Sequence, residues 1–317
     1  MRIILYKCLL FLTIVMLGLF ASCKQPTNSM NVAIAPSLSE TITKEKPGNI
    51  SLSKQFKDYW YAGNAELTSY ALEQARYGEL RKGTAVLVYV TEPFLPGKQV
   101  KAERNDPDNI PVLKLNATKK FLTGMYPYSI MTSSFYPVND GGHALKVATS
   151  IQEWCGQVYF QLNNREQYEY TSHSYFENEA DQVLKMPKAI LENELWNKIR
   201  INPEALPLGT FEVVPSFEYL RLGHKKMKSY AAELSMERSE TFNIYSITYP
   251  ELERSVSITF TKAFPYSIEG WTESYRSGFG MEAKKLTSRA TKIKTLKTPY
   301  WRKNRNEDVS LRDSLGL

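Results

Sequence analysis

Thr84-Ala85-Val86-Leu87-Val88-Tyr89-Val90-Thr91 is the stretch whose reading decides the fold. It is β-branched or aromatic at every position except Ala85 and Leu87, and it carries no charge. Such a run packs as a strand deep in a sheet. Just upstream, residues 65–76 contain Ala, Leu, Glu and Gln, which would also suit a helix capped by Asn64. As a strand, however, they bring Tyr70, Leu72, Gln74 and Arg76 to one face, and Gly78 and Gly83 frame a turn, so the two segments form a hairpin. Downstream, period-two patterning predicts a meander over residues 145–154, 157–162 and 168–176, with Asn163-Asn164 as the turn between the last two. Residues 211–222, 242–249, 256–261, 266–275 and 286–296 continue it. One helix interrupts at residues 188–199, where Ile190, Leu191, Leu195 and Ile199 fall at helical spacing and Pro203 follows. The expected fold is mainly β: a large antiparallel curled sheet or barrel-like meander with one or two short helices. Curling hides the sheet edges and leaves room for an internal cavity.

Composition agrees with that reading. Hydrophobic residues make up 43 % and aromatic residues 12 % of the chain, which excludes disorder, and 20 tyrosines favour strands over a helical bundle. The N-terminus has Arg2 and Lys7, then a run from Cys8 to Ala21 without charge, then Ala21-Ser22-Cys23. This is the layout of a signal peptide, with an apolar core too short for a permanent membrane span. Small residues directly before a cysteine resemble a bacterial lipobox, in which the thiol is acylated before cleavage. Residues 1–22 then form the leader, residues 23–51 a polar, proline-punctuated tether, and residues 52–317 a single β-rich envelope domain. Lipid on Cys23 supplies two or three acyl chains, enough for stable anchoring. No acidic run follows Cys23, so the expected location is the outer membrane, facing the periplasm. Cys8 leaves with the leader and Cys23 is lipidated, so Cys155 has no internal disulfide partner. Placed within a strand between Trp154 and Gly156, it is expected to be buried and inert.

Several segments resemble a family of bacterial lipoproteins commonly labelled "septum formation inhibitor Maf". They are residues 59–79, opening Tyr59-Trp60-Tyr61-Ala62-Gly63-Asn64, residues 83–94, ending Thr91-Glu92-Pro93-Phe94, residues 110–118, opening Ile110-Pro111-Val112-Leu113, and Ser150-Ile151-Gln152-Glu153-Trp154-Cys155-Gly156. Genuine Maf proteins are cytoplasmic α/β nucleotide pyrophosphatases with a Ser/Arg-rich phosphate-binding motif near the start. Neither that motif nor a parallel-sheet pattern occurs here, and an exported chain meets few nucleoside triphosphates, so the label is misplaced. The resemblance implies a lipoprotein family and supplies no catalytic residues.

Catalytic chemistry is hard to assemble from what remains. The three histidines, His143, His173 and His224, stand on separate segments, with no His-Glu-x-x-His pair. His173 with Glu177, Glu179 and Asp181 forms a carboxylate-rich turn able to offer oxygens to a hard cation, but it lacks the spacing and glycine of an EF-hand. A solvated hairpin end explains it as well, and no metal or other cofactor is expected. There is no Gly-x-Ser-x-Gly motif. Ser51 and Lys54 match Ser-x-x-Lys with no partner motif downstream, a chance match. Lys284, Lys285, Arg289, Lys292, Lys294, Lys297, Arg302, Lys303 and Arg305 occur with no acid among them. The formal charge of +7 falls to +5 once Arg2 and Lys7 are removed, and this strip accounts for most of it. It could meet anionic lipid, lipopolysaccharide phosphates or acidic wall polymers, whereas nucleic acid is not expected in that compartment. The competing explanation is a solvated edge strand blunted by lysines. Aromatic groups at residues 59–61, 126–136 and 154–160 serve either as core or as the lining of a ligand cavity.

Together these features favour a noncatalytic envelope lipoprotein that binds a hydrophobic or amphiphilic molecule or an outer-membrane partner. The alternatives are an envelope hydrolase with a site the motifs do not reveal, for which the neighbourhood of His173 and Glu177 is the candidate, and a structural scaffold between membrane and cell wall.

Overall fold

The computed structural model describes residues 51–317 except Asn105 and Asp140. The expected leader, residues 1–22, most of the expected tether and Cys23 lie outside the described residues. Those described belong to one compact unit, Glu45–Leu317.

A short helix α1 (Lys54–Trp60) opens the domain. It is capped by Ser53, whose Oγ accepts from Phe56 N at 3.1 Å, and it buries Phe56 and Trp60. The Ser-x-x-Lys match dissolves here, because Lys54 pairs with Asp58 at 2.6 Å one helical turn on. Then come β1 (Ala65–Arg76), β2 (Glu79–Leu95), β3 (Val100–Lys101), β4 (Ile110–Thr123), β5 (Tyr126–Pro137), β6 (Lys146–Glu153), β7 (Gly156–Asn164), β8 (Tyr168–Ser174) and β9 (Gln182–Met186). The chain continues through β10 (Ile190–Leu191), α2 (Glu192–Ile201), β11 (Gly209–Val214) and α3 (Phe217–Leu222). It ends in β12 (Tyr230–Arg238), β13 (Phe242–Tyr249), β14 (Arg254–Thr261), β15 (Ile268–Ser277) and β16 (Lys284–Thr298), with 3₁₀ segments at Tyr300–Arg302 and Asn306–Leu315.

All sixteen strands form one curled sheet, antiparallel between chain neighbours except where β10 pairs parallel with β11. β3 is a side branch on β2. The first and last long strands also pair, Ala65 opposite Thr298 through Glu73 opposite Arg289, so the chain ends seal the curl. The opening lies mid-chain instead, between β9 and β10, which are the two ends of the strand order.

That position follows from α2. Between β10 and β11 the chain leaves the sheet and enters the concave side, where Glu192, Asn193, Glu194, Leu195, Asn197, Ile199 and Arg200 are all buried. Tyr89 Oη donates to Trp196 O at 3.1 Å, and Asn197 Nδ2 donates to Leu113 O at 2.8 Å. Arg200 forms a bidentate pair with Glu66 at 2.7 and 2.8 Å, while Arg254 forms one with Glu192 at 2.6 and 2.7 Å. Strands β1, β2, β4 and β14 thus all hold one helix. Its acidic residues stand in the first turn and its basic residues in the last, as the helix dipole favours.

The mainly β, curled architecture agrees with the sequence expectation, and residues 65–76 and 242–249 form strands with the expected bounds. Several details differ. Asn163 and Asn164 are the end of β7 rather than a turn, because the ladder runs on to Asn164 opposite Tyr168 and the chain reverses at residues 165–167. Residues 211–222 do not form one strand. Pro215 interrupts the ladder after Val214, and Ser216 Oγ accepts from Tyr219 N at 3.3 Å to start α3. The long helix begins at Glu192, since Ile190 and Leu191 pair with Val213 and Val214. Gly83 lies within β2 and frames no turn. It lets β4 approach, for a Cβ there would come 2.2 Å from Lys120 O.

Candidate functional site

Where the sheet fails to close, a groove of about 580 Å³ opens between β7–β9 on one side and α3 with residues 224–227 on the other. Its apolar walls are Phe160 and Tyr170 from β7 and β8, Leu184 from β9, Leu220 from α3, and Met227. Phe160 and Tyr170 lie 5.9 Å apart between ring centroids, and Tyr170 meets Phe217 edge-on at 6.0 Å. Burial pushes the Tyr170 hydroxyl up to about 12, so it stays neutral. The rim carries the exposed His224, Lys225 and Lys226, and beneath it the buried Arg221 faces the acid Glu179. Glu179 accepts from Ser174 Oγ at 2.9 Å and pairs with Arg221 at 3.0 Å and His224 Nδ1 at 3.1 Å. Burial acts to raise the Glu179 carboxyl, but the bonds from His224 and Ser174 and the Arg221 charge hold it below its ordinary value. The volume falls within the range of small-molecule pockets.

A second feature lies inside the curl. A cavity of about 60 Å³ is lined by Lys119, Glu218, Arg254, Glu273 and Trp196, and by Ser134, whose Oγ has no hydrogen-bond partner among the described residues. Lys119 and Glu218 pair at 2.8 Å, each keeping 13 % of its side-chain surface accessible although deeply enclosed. Burial, with the nearby Glu273 charge, raises the Glu218 carboxyl even though Lys119 opposes it. This space suits a few ordered waters rather than a ligand.

The residues singled out from sequence fall as follows. His173 Nδ1 stands 3.2 Å from Asp181 at the surface, their side chains 62 % and 71 % exposed. Glu177 is exposed, and Glu179 turns away to Arg221 and His224, so the turn does not converge on a cation. Among the described residues no three His, Cys, Asp or Glu side chains come together as metal ligands. His143 instead braces α2, its Nδ1 2.9 Å from Glu194, which also accepts from Ala144 N at 2.7 Å.

The basic strip is not an edge. β16 lies between β15 and β1, so its lysines do not blunt a free strand. Lys292 pairs with Glu269 at 2.8 Å, Lys294 donates to Asp313 O at 3.3 Å, and Lys297 donates to Tyr59 O at 2.8 Å. Arg305 pairs with Glu307 at 3.3 Å. Lys284, Lys285, Arg289, Arg302 and Lys303 are exposed.

Cys155 is not in a strand. It is exposed in the β6–β7 turn, where the hydrogen bond to Glu153, with its charge, raises the thiol. Of the aromatics, Trp60, Tyr128 and Tyr136 are core, and Phe160 reaches the groove. The sequence reading missed Arg221, Leu220 and Met227. A helix-capping Ser216 after Pro215 was the available signal that this segment leaves the sheet.

The fold and groove define a curled antiparallel sheet wrapped on a buried helix, with a ligand-sized opening at its mid-chain seam. No family model matches the chain, and no curated protein does. Among solved structures, a β-barrel-like protein of a domain of unknown function from Brucella abortus is similar at 7 % identity and a TM-score of 0.38, over 74 % of this chain and 98 % of that one. A porin-like protein from Bacteroides uniformis is similar at 11 % identity and a TM-score of 0.21, over 78 % and 99 %. Both overlaps are loose, and the function below rests on this chain's own groove.

Proposed function

We propose that this protein is a noncatalytic binder of an amphiphile, held with its apolar chain in the seam groove and its anionic head on the rim. The observation that carries this reading is the joining, in one space of about 580 Å³, of apolar walls with the exposed Lys225 and Lys226. Apolar burial supplies affinity and the cations supply orientation. The test uses the soluble chain of residues 24–317 and a dansyl-labelled undecanoic acid. Its emission is expected to rise and shift to the blue on binding, and a probe of the same chain length with a trimethylammonium head should bind more weakly. Leu184, 38 % exposed on β9, can be altered without disturbing the core. Leu184→Glu is expected to weaken the acid probe by about tenfold or more, roughly the contribution of one apolar side chain to a buried contact. Equal binding by the variant, or none by either probe, would overturn the reading.

The proposal includes the setting: a lipid on Cys23, an outer-membrane location facing the periplasm, and membership of the lipoprotein family that the chain resembles. The support is the lipobox-like Ala21-Ser22-Cys23. Intact mass of the protein extracted from membranes is expected to show a chain beginning at Cys23 and carrying acyl groups. An unmodified mass, or Cys23→Ala protein remaining in the membrane fraction, would remove the anchor.

A further inference from the structure

An antiparallel meander delivers alternate turns to the same end of its sheet. Here the β1–β2, β4–β5, β6–β7, β8–β9 and β15–β16 connections share one end. Large apolar side chains project from or beside these connections: Leu122 (57 % exposed), Met125 (81 %), Trp154 (68 %), Tyr175 (74 %), Phe279 (66 %) and Met281 (101 %). At the opposite end, Tyr61, Val100, Leu208, Phe242 and Trp301 reach only 44 %, 43 %, 50 %, 41 % and 45 %. Ring contacts join the tips into a band. Phe279 lies 5.7 Å from Tyr77, whose hydroxyl is 2.8 Å from that of Tyr128, and Tyr126 lies 6.0 Å from Tyr128 and 6.5 Å from Trp154. Exposed apolar groups gathered at one end on this scale, linked beneath by Tyr77, Tyr126 and the buried Tyr128, mark an interaction surface.

We propose that this end docks on a lipid bilayer bearing anionic head groups, with the aromatic and methionine tips entering the interfacial layer. Three observations favour a bilayer over a folded partner. The apolar groups stand as separate tips on four hairpins instead of forming one flat face, and Met281 is fully projected. Amphipathic rings and long cationic side chains together suit the head-group layer. The Phe279–Met281 tip is flanked by Arg276, Lys284 and Lys285, three cations against the single acid Glu282 within the connection, while Arg81 on β2 is paired with Glu79 at 2.6 Å, and the excess positive charge complements anionic lipid. The basic residues that serve such a surface are therefore Lys284 and Lys285, at the head of β16, rather than the strip as a whole. The seam groove opens at the same end, since residues 178–179 and 224–227 in its wall belong to connections there. α1 enters at the other end, where β1 begins. The docking surface stands on different residues from the groove reading, and each can fail alone.

The test exploits Cys155, exposed beside Trp154 and the sole cysteine of residues 24–317. The chain labelled there with a nitrobenzoxadiazole fluorophore is mixed with vesicles of phosphatidylcholine containing phosphatidylglycerol, or of phosphatidylcholine alone. A blue shift and quenching by spin-labelled lipid are expected with the anionic vesicles, and weaker signals with the neutral ones. The triple variant Trp154→Ser, Phe279→Ser, Met281→Ser, labelled at the same cysteine, is expected to lose partitioning by at least about tenfold, because each apolar side chain withdrawn from water contributes on that scale. It should still bind the dansyl probe. Trp301→Ser, at the other end and 45 % exposed, should partition as the parent does. The proposal is overturned by no shift with anionic vesicles, by full partitioning of the triple variant, or by a concentration-dependent shift without vesicles, which would make the band a contact between copies of the chain.

Discussion

Arg254→Met is expected to lower the free energy of unfolding by about 3–5 kcal/mol, the scale on which breaking a buried ion pair leaves a charge uncompensated. The guanidinium is 1 % exposed and serves two carboxylates: a bidentate pair with Glu192 at 2.6 and 2.7 Å, and Glu273 at 2.7 Å from Nε. It also lies 4.2 Å above the Tyr219 ring, and Tyr249 Oη donates to the same Glu192 at 2.8 Å. Methionine fills the space but leaves Glu192 without its bidentate partner and Glu273 with only the charge of Lys119, itself paired with Glu218. Arg254→Lys should recover little, because an ammonium cannot present the planar fork that Glu192 accepts. Urea unfolding followed by tryptophan fluorescence measures this through the midpoint. A loss under about 1 kcal/mol would mean that the network is wetter than its geometry indicates.

At the other end of α2, Glu66→Gln is expected to destabilise on a similar scale and to change the acid limb of the stability profile. Burial acts to raise the Glu66 carboxyl, yet the two bonds from Arg200 and the hydrogen bond from Tyr59 hold it below its ordinary value. A carboxyl whose folded pKa is depressed stabilises the fold fully above its unfolded pKa, about 4.3 for glutamate. That contribution is lost as pH falls through the lower folded value. Glu192 is depressed likewise, burial opposing and Arg254 prevailing. The parent should therefore lose stability steeply below about pH 4.3, and Glu66→Gln should show a shallower loss there. The double variant Glu66→Leu, Arg200→Met should recover most of what Arg200→Met alone loses, since removing both charges removes the desolvation cost with them. A double variant as unstable as the sum of its singles would show that the two residues act independently.

These ion pairs explain how a helix with so much polar character can occupy the inside of a sheet. α2 is held at one end through Glu192 and at the other through Arg200, so it stays in register while β9 and β10 remain unpaired with each other. The groove is a consequence of that arrangement. Its floor comes from strands on one side of the opening, and its far wall from the α3 segment that follows the helix.

Much of this was legible along the chain. The apolar, β-branched residues 84–91 mark the middle of β2, and the alternation of residues 242–249 marks β13, because a half-buried strand records its two faces directly in sequence. The pattern assigns no strand to residues 110–137, although β4 and β5 fill that stretch. There Lys114, Lys119 and Lys120 blur the period, and Lys114 and Lys119 are accommodated only through distant partners, Glu92 at 2.7 Å and Glu218 at 2.8 Å. The groove was less legible still. Its walls come from residue 160 and from residues 220–227, separated by the whole of α2, and no local motif links them.

By itself, then, the sequence determined a β-rich chain, an antiparallel meander and a hairpin around Gly78, since strand periodicity and turn chemistry act between near neighbours. Tertiary structure alone decided that the chain ends seal the sheet and the seam falls mid-chain. It also decided that Glu66 meets Arg200 and Glu192 meets Arg254, and that Trp154 and Phe279 project from the same end. Each of these depends on residues far apart in sequence, brought together by the curl of the sheet around a buried helix.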